Sequence, residues 1–337
     1  MKFDHKHDNL TDFLFVGDTH VKKDNIEESK RLIEWINSVS ISNGNIPIVF
    51  AGDQYNDFGV ARVEVADFWV WAFSQFRQDV IALVGNHDAN PDMSMNFMSI
   101  HRGSALIIDK PTYLNSNEIL LLPFIRDNAQ FEAEVSLTKS KYVICHQEFD
   151  GALYENGFYA PHGIKMDNLS PAIELVVSGH IHKEQKFGKV WYPGNPRHIT
   201  RSDIGEEKGI WKINLQNKSF EKILTPYDVC EPFAYFEITK DNDTMPDYSS
   251  SRVFVDIKGD EKFVKKMLKK MPALTKVRTF VESQTTDIEI KESEGIPKAF
   301  FDYALKYADT NKLGQNDIKM VLNKVYEKCP SLKVSQK

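Results

Sequence analysis

Short runs of β-branched and apolar residues alternate with longer amphipathic stretches through the first two thirds of the chain, and this rhythm constrains its fold more than any other feature. Phe13-Leu14-Phe15-Val16 is strand-like and precedes a helical pattern over 26–39. Ile48-Val49-Phe50-Ala51 precedes helix-like 63–76, and strand-like runs follow at 80–84, 119–122, 142–145 and 175–177. Short apolar runs closed by Gly, Asp, Asn or His, with helices between them, predict a layered α/β fold. Past Trp191, strand follows strand at 190–192, 209–213 and 220–224, extending or closing the sheet.

A change of texture at Pro226 and Pro232 predicts a domain boundary after residue 225. Strand-like 233–238 and 252–257, helix-like 261–271 and strand-like 276–281 then describe a small α+β domain over 226–292. Two amphipathic helices are predicted within 293–337, Phe300, Phe301, Ala304, Leu305 and Ala308 sharing one face and Ile318, Val321, Leu322 and Val325 another.

The 337 residues suit one large domain with a smaller appendage. No apolar run approaches the roughly 20 residues of a membrane span, and the first nine residues are polar, so a cytoplasmic protein without a membrane role is expected. Cys145, Cys230 and Cys329 form no CxxC pair and are read as reduced. A net charge of −6 argues against holding nucleic acid by bulk electrostatics, so any such binding needs a local patch, metals or a partner.

Five clusters follow candidate strands, where open α/β sheets place their binding crevices: Gly17-Asp18-Thr19-His20, Gly52-Asp53, Gly85-Asn86-His87-Asp88, His146 and Gly179-His180-Ile181-His182. They offer carboxylate, amide and imidazole donors without thiolate, a set suited to Mn²⁺, Mg²⁺, Fe²⁺ or Zn²⁺. Two such ions about 3.5 to 4 Å apart can clamp the attacking and leaving oxygens of a phosphoryl displacement, and one carboxylate then has to bridge them. A His pair at a strand end can be merely structural, but five clusters in order make that reading weak.

Over residues 13–196 the order D-x-H, G-D, G-N-H-D, H, G-H-x-H resembles the calcineurin-like metallophosphoesterase family. The resemblance implies a two-sheet layered core flanked by helices. It implies Asp18, His20 and His182 around one ion, Asn86, His146 and His180 around a second, and Asp53 between them. The ions expected are two divalent metals, Mn²⁺ first and Mg²⁺ as the alternative. His87 stands where the family keeps a non-ligand acid for the leaving oxygen. Asn56 occupies a position where relatives often carry a His or Asp that orients that acid. The arginines typical of the protein phosphatase branch are absent from both the 52–59 and 84–88 stretches.

Tyr192-Pro193-Gly194-Asn195-Pro196-Arg197, the later Gly209-Ile210-Trp211, and Pro161-His162-Gly163-Ile164 resemble stretches of SbcD-type nucleases, notably those of bacteriophages. That resemblance implies a nuclease domain over 1–225, a capping domain over 226–292 and an ATPase-docking segment over 293–337. It further implies cleavage of DNA ends, as a 3′ to 5′ exonuclease with endonuclease activity. An SbcC-like ATPase partner, a homodimer within a heterotetramer, and the cytoplasm of a bacterium or phage-infected host complete the expectation. Arg197, His198 and Arg201 are candidate DNA contacts. Lys265, Lys266, Lys269 and Lys270 could meet DNA phosphates but read more readily as a solvated helix face, and Trp69, Trp71 and Phe73 read as core. A small-molecule phosphodiesterase or nucleotide phosphatase on the same core is the alternative enzyme, and a DNA-end-binding scaffold without chemistry the alternative of another class.

Overall fold

The computed structural model describes residues 10–154, 157–160, 162–242, 244, 252–271 and 276–281. The helices expected within 293–337 lie outside the described residues, as does Cys329. Among the described residues, no helix is long and apolar enough to cross a membrane.

The parallel strands β1 (Asp12–Val16), β2 (Ile48–Phe50), β3 (Val80–Leu83) and β4 (Leu106–Ile108) lie side by side in one sheet. The antiparallel hairpin β11 (Gly209–Asn214) and β12 (Ser219–Leu224) extends it past β1, in the order β12-β11-β1-β2-β3-β4. A second sheet runs β5-β6-β7-β8-β10-β9, from β5 (Thr112–Leu114), β6 (Ile119–Leu122), β7 (Tyr142–His146), β8 (Leu175–Gly179), β9 (Gln185–Phe187) and β10 (Val190–Tyr192).

Side chains alternate across a strand, so each continuous apolar run feeds two cores. Phe13, Phe15, Val49, Ala51, Ile81 and Leu83 pack against Leu121, Ile144, Val177 and Trp191 between the sheets. Their neighbours Leu14, Val16, Ile48, Phe50, Val80 and Ala82 turn outward onto α1 (Ile26–Ser42) and α2 (Val63–Gln75). Trp69 and Phe73 of α2 are buried there, as expected. On the far side, Leu120, Val143, Cys145, Val176 and Tyr192 meet Phe131 and Val135 of α3 (Asn128–Leu137). The result is helices, sheet, sheet, helix in layers, the expected two-sheet core.

α3 has no helical signature in sequence. Ala129, Phe131, Ala133, Val135 and Leu137 alternate with polar residues at period two, the pattern of a strand. Tertiary packing overrides it: Phe131 and Val135, one turn apart, are fully buried while Leu137 is exposed, and the Asp127 carboxylate caps the first turn by accepting the Ala129 N–H at 2.9 Å.

Beyond residue 225, β13 (Ala234–Ile238), β14 (Val253–Gly259) and β15 (Lys276–Val281) form a third sheet in that order, and α4 spans Glu261–Leu268. The chain divides into two compact units, one of Met1–Phe236, Pro246–Val255 and Pro272–Val277, the other of Glu237–Met245, Asp256–Met271 and Arg278–Lys337. In the second, Asp260 caps α4 through the Phe263 N–H, Val264 and Met267 are buried, and Arg278 donates twice to Asp256. Lys265, Lys266, Lys269 and Lys270 are exposed, and Lys265 meets Glu261 at 2.5 Å.

Candidate metal centre

The carboxyl ends of five parallel strands deliver the predicted clusters to one place. Asp18 and His20 follow β1, Asp53 follows β2, Asn86 and His87 follow β3, His146 ends β7, and His180 and His182 follow β8. Pairing continues beyond the strands: the His20 and Val21 N–H groups donate to the Asp53 and Gln54 carbonyls at 3.0 and 2.9 Å. The first two loops are thereby zipped into fixed register.

Two sets of donors converge. His20 Nε2 and His182 Nε2 stand 3.1 Å apart, with Asp18 Oδ2 3.4 Å from His182 Nε2. On the other side, Asn86 Oδ1 lies 3.1 Å from His146 Nε2 and 3.0 Å from His180 Nδ1. Asp53 faces both: its Oδ1 is 3.4 Å from His146 Nε2 and its Oδ2 3.7 Å from His20 Nε2. Divalent ions fit this arrangement, since clusters of carboxylate and imidazole donors lie within 4.8 Å of one another. Among the described residues the buried His20 Nδ1 has no hydrogen-bond partner, and since a carbonyl cannot donate, the 2.7 Å contact to the Ala51 oxygen places a proton on His146 Nδ1 and leaves Nε2 as the nitrogen that faces the centre.

Backbone strain sits at the same residues. His20, Asp53 and His180 adopt φ of 44°, 53° and 81°, a region costly for residues with a Cβ and characteristic of functional sites. The surrounding hydrogen bonds hold them there: the His180 N–H donates to both Asp18 oxygens at 3.1 Å, and the His87 N–H donates to Asp53 Oδ1 at 2.8 Å.

The electrostatics of the ion-free chain follow from burial. Burial raises Asp18 and Asp53, but the facing histidines together outweigh it, His146 with His182 at Asp18 and His146 with His20 and His87 at Asp53, and hold both below the ordinary carboxylate range. Burial, with His182 opposite, depresses His20 to about 3, leaving it neutral. Burial also opposes charge on His146, yet Asp53 and Asp18 overcome it and push the ring up to about 9. A single proton on His146 thus stands where two carboxylates call for a cation. Ligating nitrogens must shed their protons, so metal loading at pH 7.5 should release about one proton per chain, and affinity should rise with pH up to about 9. Calorimetry in buffers of different ionisation enthalpy measures this; a pH-independent affinity would rule the shared proton out.

His87 is oriented differently from the sequence expectation. Its Nδ1–H donates to the Asn56 main-chain carbonyl at 2.6 Å, whereas the Asn56 amide donates to Asp57 at 3.1 Å. A main-chain acceptor does not depend on residue type, so an Asn at position 56 still leaves His87 held with Nε2 3.9 Å from Asp53 Oδ2.

Two of the three residues expected to contact DNA are buried in the structure. Arg197 is 2% exposed; its Nη1 donates to Ser29 at 2.8 Å and its Nη2 to the carbonyls of Thr19 and His20. His198 is buried as well, Nε2 bonding the Glu206 carbonyl and Nδ1 accepting the Phe233 N–H. The Tyr192 to Arg197 block supports the first metal loop from beneath: a Cβ on Gly17 would lie 2.0 Å from the Gly194 oxygen. Arg201 reaches Tyr235, its guanidinium 4.8 Å from the ring. Cys145 is buried, which pushes its thiol up to about 12.

Sequence reasoning missed Glu148 and gave Asp88 no role of its own. Glu148 Oε2 lies 3.9 Å from His180 Nε2 and accepts from the Tyr154 hydroxyl; those two groups hold its carboxylate below the usual range. Its spacing two residues past His146, on the same side of an extended chain, was the available signal. Asp88 ties two loops together by accepting the N–H groups of Tyr55 and Gly85, each at 2.9 Å.

The sequence profile of the calcineurin-like phosphoesterases matches residues 11–184, more than half of the chain. Exonuclease subunit 1 of Enterobacteria phage T4 is 25% identical over 151 residues, 42% of this chain and 44% of that protein, so the matched stretch spans less than half of the phage subunit. A protein of Invertebrate iridescent virus 6 named as phosphoesterase 244L is 27% identical over 214 residues, 58% of this chain and 72% of its own. The solved structure of an archaeal phosphodiesterase aligns at 12% identity over 64% of this chain and 99% of that one, with a TM-score of 0.35. With the profile matched across the strands that carry every donor of the centre, the chain belongs to the calcineurin-like phosphoesterases and is a metal-dependent phosphoesterase.

Proposed function

We propose that the chain is a two-metal phosphodiesterase that cleaves DNA, as the nuclease subunit of an SbcC/SbcD-like complex that processes DNA ends. The observation that carries the two-metal part is Asp53, one buried carboxylate whose two oxygens address two separate donor sets. Asp18, His20 and His182 complete one set and Asn86, His146 and His180 the other, with Mn²⁺ the ion favoured and Mg²⁺ the alternative. When bound, the ions would supply positive charge to the attacking and leaving oxygens of the phosphodiester.

The protein's own groups do the rest. The Asn56 carbonyl keeps the His87 ring turned so that a protonated Nε2 can pass its proton to the departing oxygen. The N–H groups of His87 and His180 hold Asp53 and Asp18 in place. Phe58 lies edge-on to His87 at 5.8 Å and covers one side of that ring. The choice of DNA is supported by the likeness to a phage exonuclease subunit. The accompanying organisation is a nuclease domain over 1–225, a cap over 226–292 and an ATPase-docking segment over 293–337, in a homodimer within a heterotetramer in the cytoplasm of a bacterium or phage-infected host.

End-labelled linear duplex DNA incubated with Mn²⁺ and the purified chain is expected to give a ladder of products. His87→Ala should retain its metal and lose about 10²- to 10⁴-fold in rate, the usual contribution of a positioned acid. Intact DNA beside rapid hydrolysis of bis-p-nitrophenyl phosphate, even with the ATPase partner added, would replace the nuclease reading with a small-molecule phosphodiesterase.

A further inference from the structure

A cavity of about 350 Å³ adjoins the metal centre and shares His20 and Asn56 with it. Four cationic side chains, Lys22, Arg197, Arg252 and Lys276, line it against a single carboxylate, Asp24. Two of the four are neutralised nearby: Glu28, buried behind the wall, lies 3.6 Å from Arg197 and pairs with Arg252. Lys22 and Lys276 form no ion pair among the described residues. Lys276 instead sits 5.2 Å over the Phe233 ring and 4.9 Å over Phe254, which fixes its stem without cancelling its charge. Although Lys276 is exposed, partial burial of its ammonium, then the neighbouring Lys22 and Arg252, lower its pKa, as expected of cations crowded together.

In a chain of net charge −6, two lysines that form no ion pair among the described residues thus stand beside the metal centre, an arrangement that favours an anion. The cavity's volume suits a phosphate with part of its sugar, and its wall beside His20 and Asn56 is continuous with the place where a scissile phosphate would lie. We propose that this cavity is a second phosphate subsite, taking the phosphate next to the scissile one on a nucleotide chain, with Lys22 and Lys276 as its ligands. The proposal rests on the phosphodiesterase reading and adds to it a preference for substrates carrying two successive phosphates. A simple diester engages only the metal centre, whereas a polynucleotide engages both.

The test compares binding of thymidine 3′,5′-bisphosphate and thymidine 5′-monophosphate to the full chain by calorimetry, with divalent ions present. The wild type should bind the bisphosphate about tenfold more tightly, the scale of one charge-assisted contact. Lys22→Ala with Lys276→Ala should bring the ratio to about one, and Lys→Arg at both positions should retain it, because the charge rather than the stem is required. Equal affinity of the wild type for both nucleotides, or a ratio unchanged in the double alanine variant, would overturn the subsite. Cleavage of duplex DNA by the same preparations separates the two ideas. An intact ratio without cleavage sinks the nuclease reading alone, and cleavage without a ratio sinks the subsite alone.

Discussion

Replacing Asp53 with asparagine is expected to abolish two-metal binding and to lower phosphodiester hydrolysis by about 10³-fold or more. The carboxylate presents Oδ1 toward His146 and Oδ2 toward His20, and the amide keeps only one oxygen. Its NH₂ group would point a donor where a cation belongs. The fold should survive, since the side chain is isosteric and its remaining oxygen can still accept the His87 N–H that now bonds Asp53 Oδ1 at 2.8 Å. Metal content by mass spectrometry and turnover of bis-p-nitrophenyl phosphate measure the two effects together. A variant that still holds two ions and turns over normally would show that Asp53 does not bridge.

Gly85→Ala is expected to damage the centre from the other direction, without removing any donor. A Cβ at position 85 would lie 2.2 Å from Asp53 Oδ1 and 2.3 Å from the Asp53 main-chain nitrogen. The nitrogen belongs to a loop pinned at φ 53° and bonded to the His20 loop, so it cannot retreat without dragging both. Overpacking of this kind costs about 3 kcal/mol, and the strained carboxylate should lose its alignment to both donor sets. Thermal unfolding with and without metal reads the two consequences. The wild type should gain stability from divalent ions, and the variant should start lower and gain less. An unchanged unfolding temperature would mean the loop yields at no cost. Gly52 makes the same argument for His146, because a Cβ there would lie 2.2 Å from its Nδ1. The motif glycines are therefore space for the ligands as much as turns of the chain.

The layered architecture and the donors of the centre were legible in the amino-acid order, for one physical reason. A parallel strand buried on both faces is a short unbroken apolar run, and such a run cannot hide the polar residues that follow it at the sheet's edge. Asp18, Asp53, Asn86 and His180 each appear where a run stops, and His146 at the end of another. What depended on contacts distant in sequence was not legible. α3 carries strand-like alternation, and only its docking on the second sheet makes it a helix. Arg197 looked like a surface cation beside the active site, yet its guanidinium reaches Ser29, 168 positions away, and is buried. Asn56 looked like a side-chain partner for His87 and acts through its carbonyl.

By itself, then, the sequence determined which residues gather at the strand ends, because hydrophobic periodicity is local. Only the tertiary structure decided where each donor atom points: which oxygen of Asp53 faces which histidine, which carbonyl turns His87, and which lysines beside the centre form no ion pair among the described residues. Those directions are set by loop-to-loop hydrogen bonds and by strained φ values at His20, Asp53 and His180, which the surrounding packing enforces and no local pattern encodes.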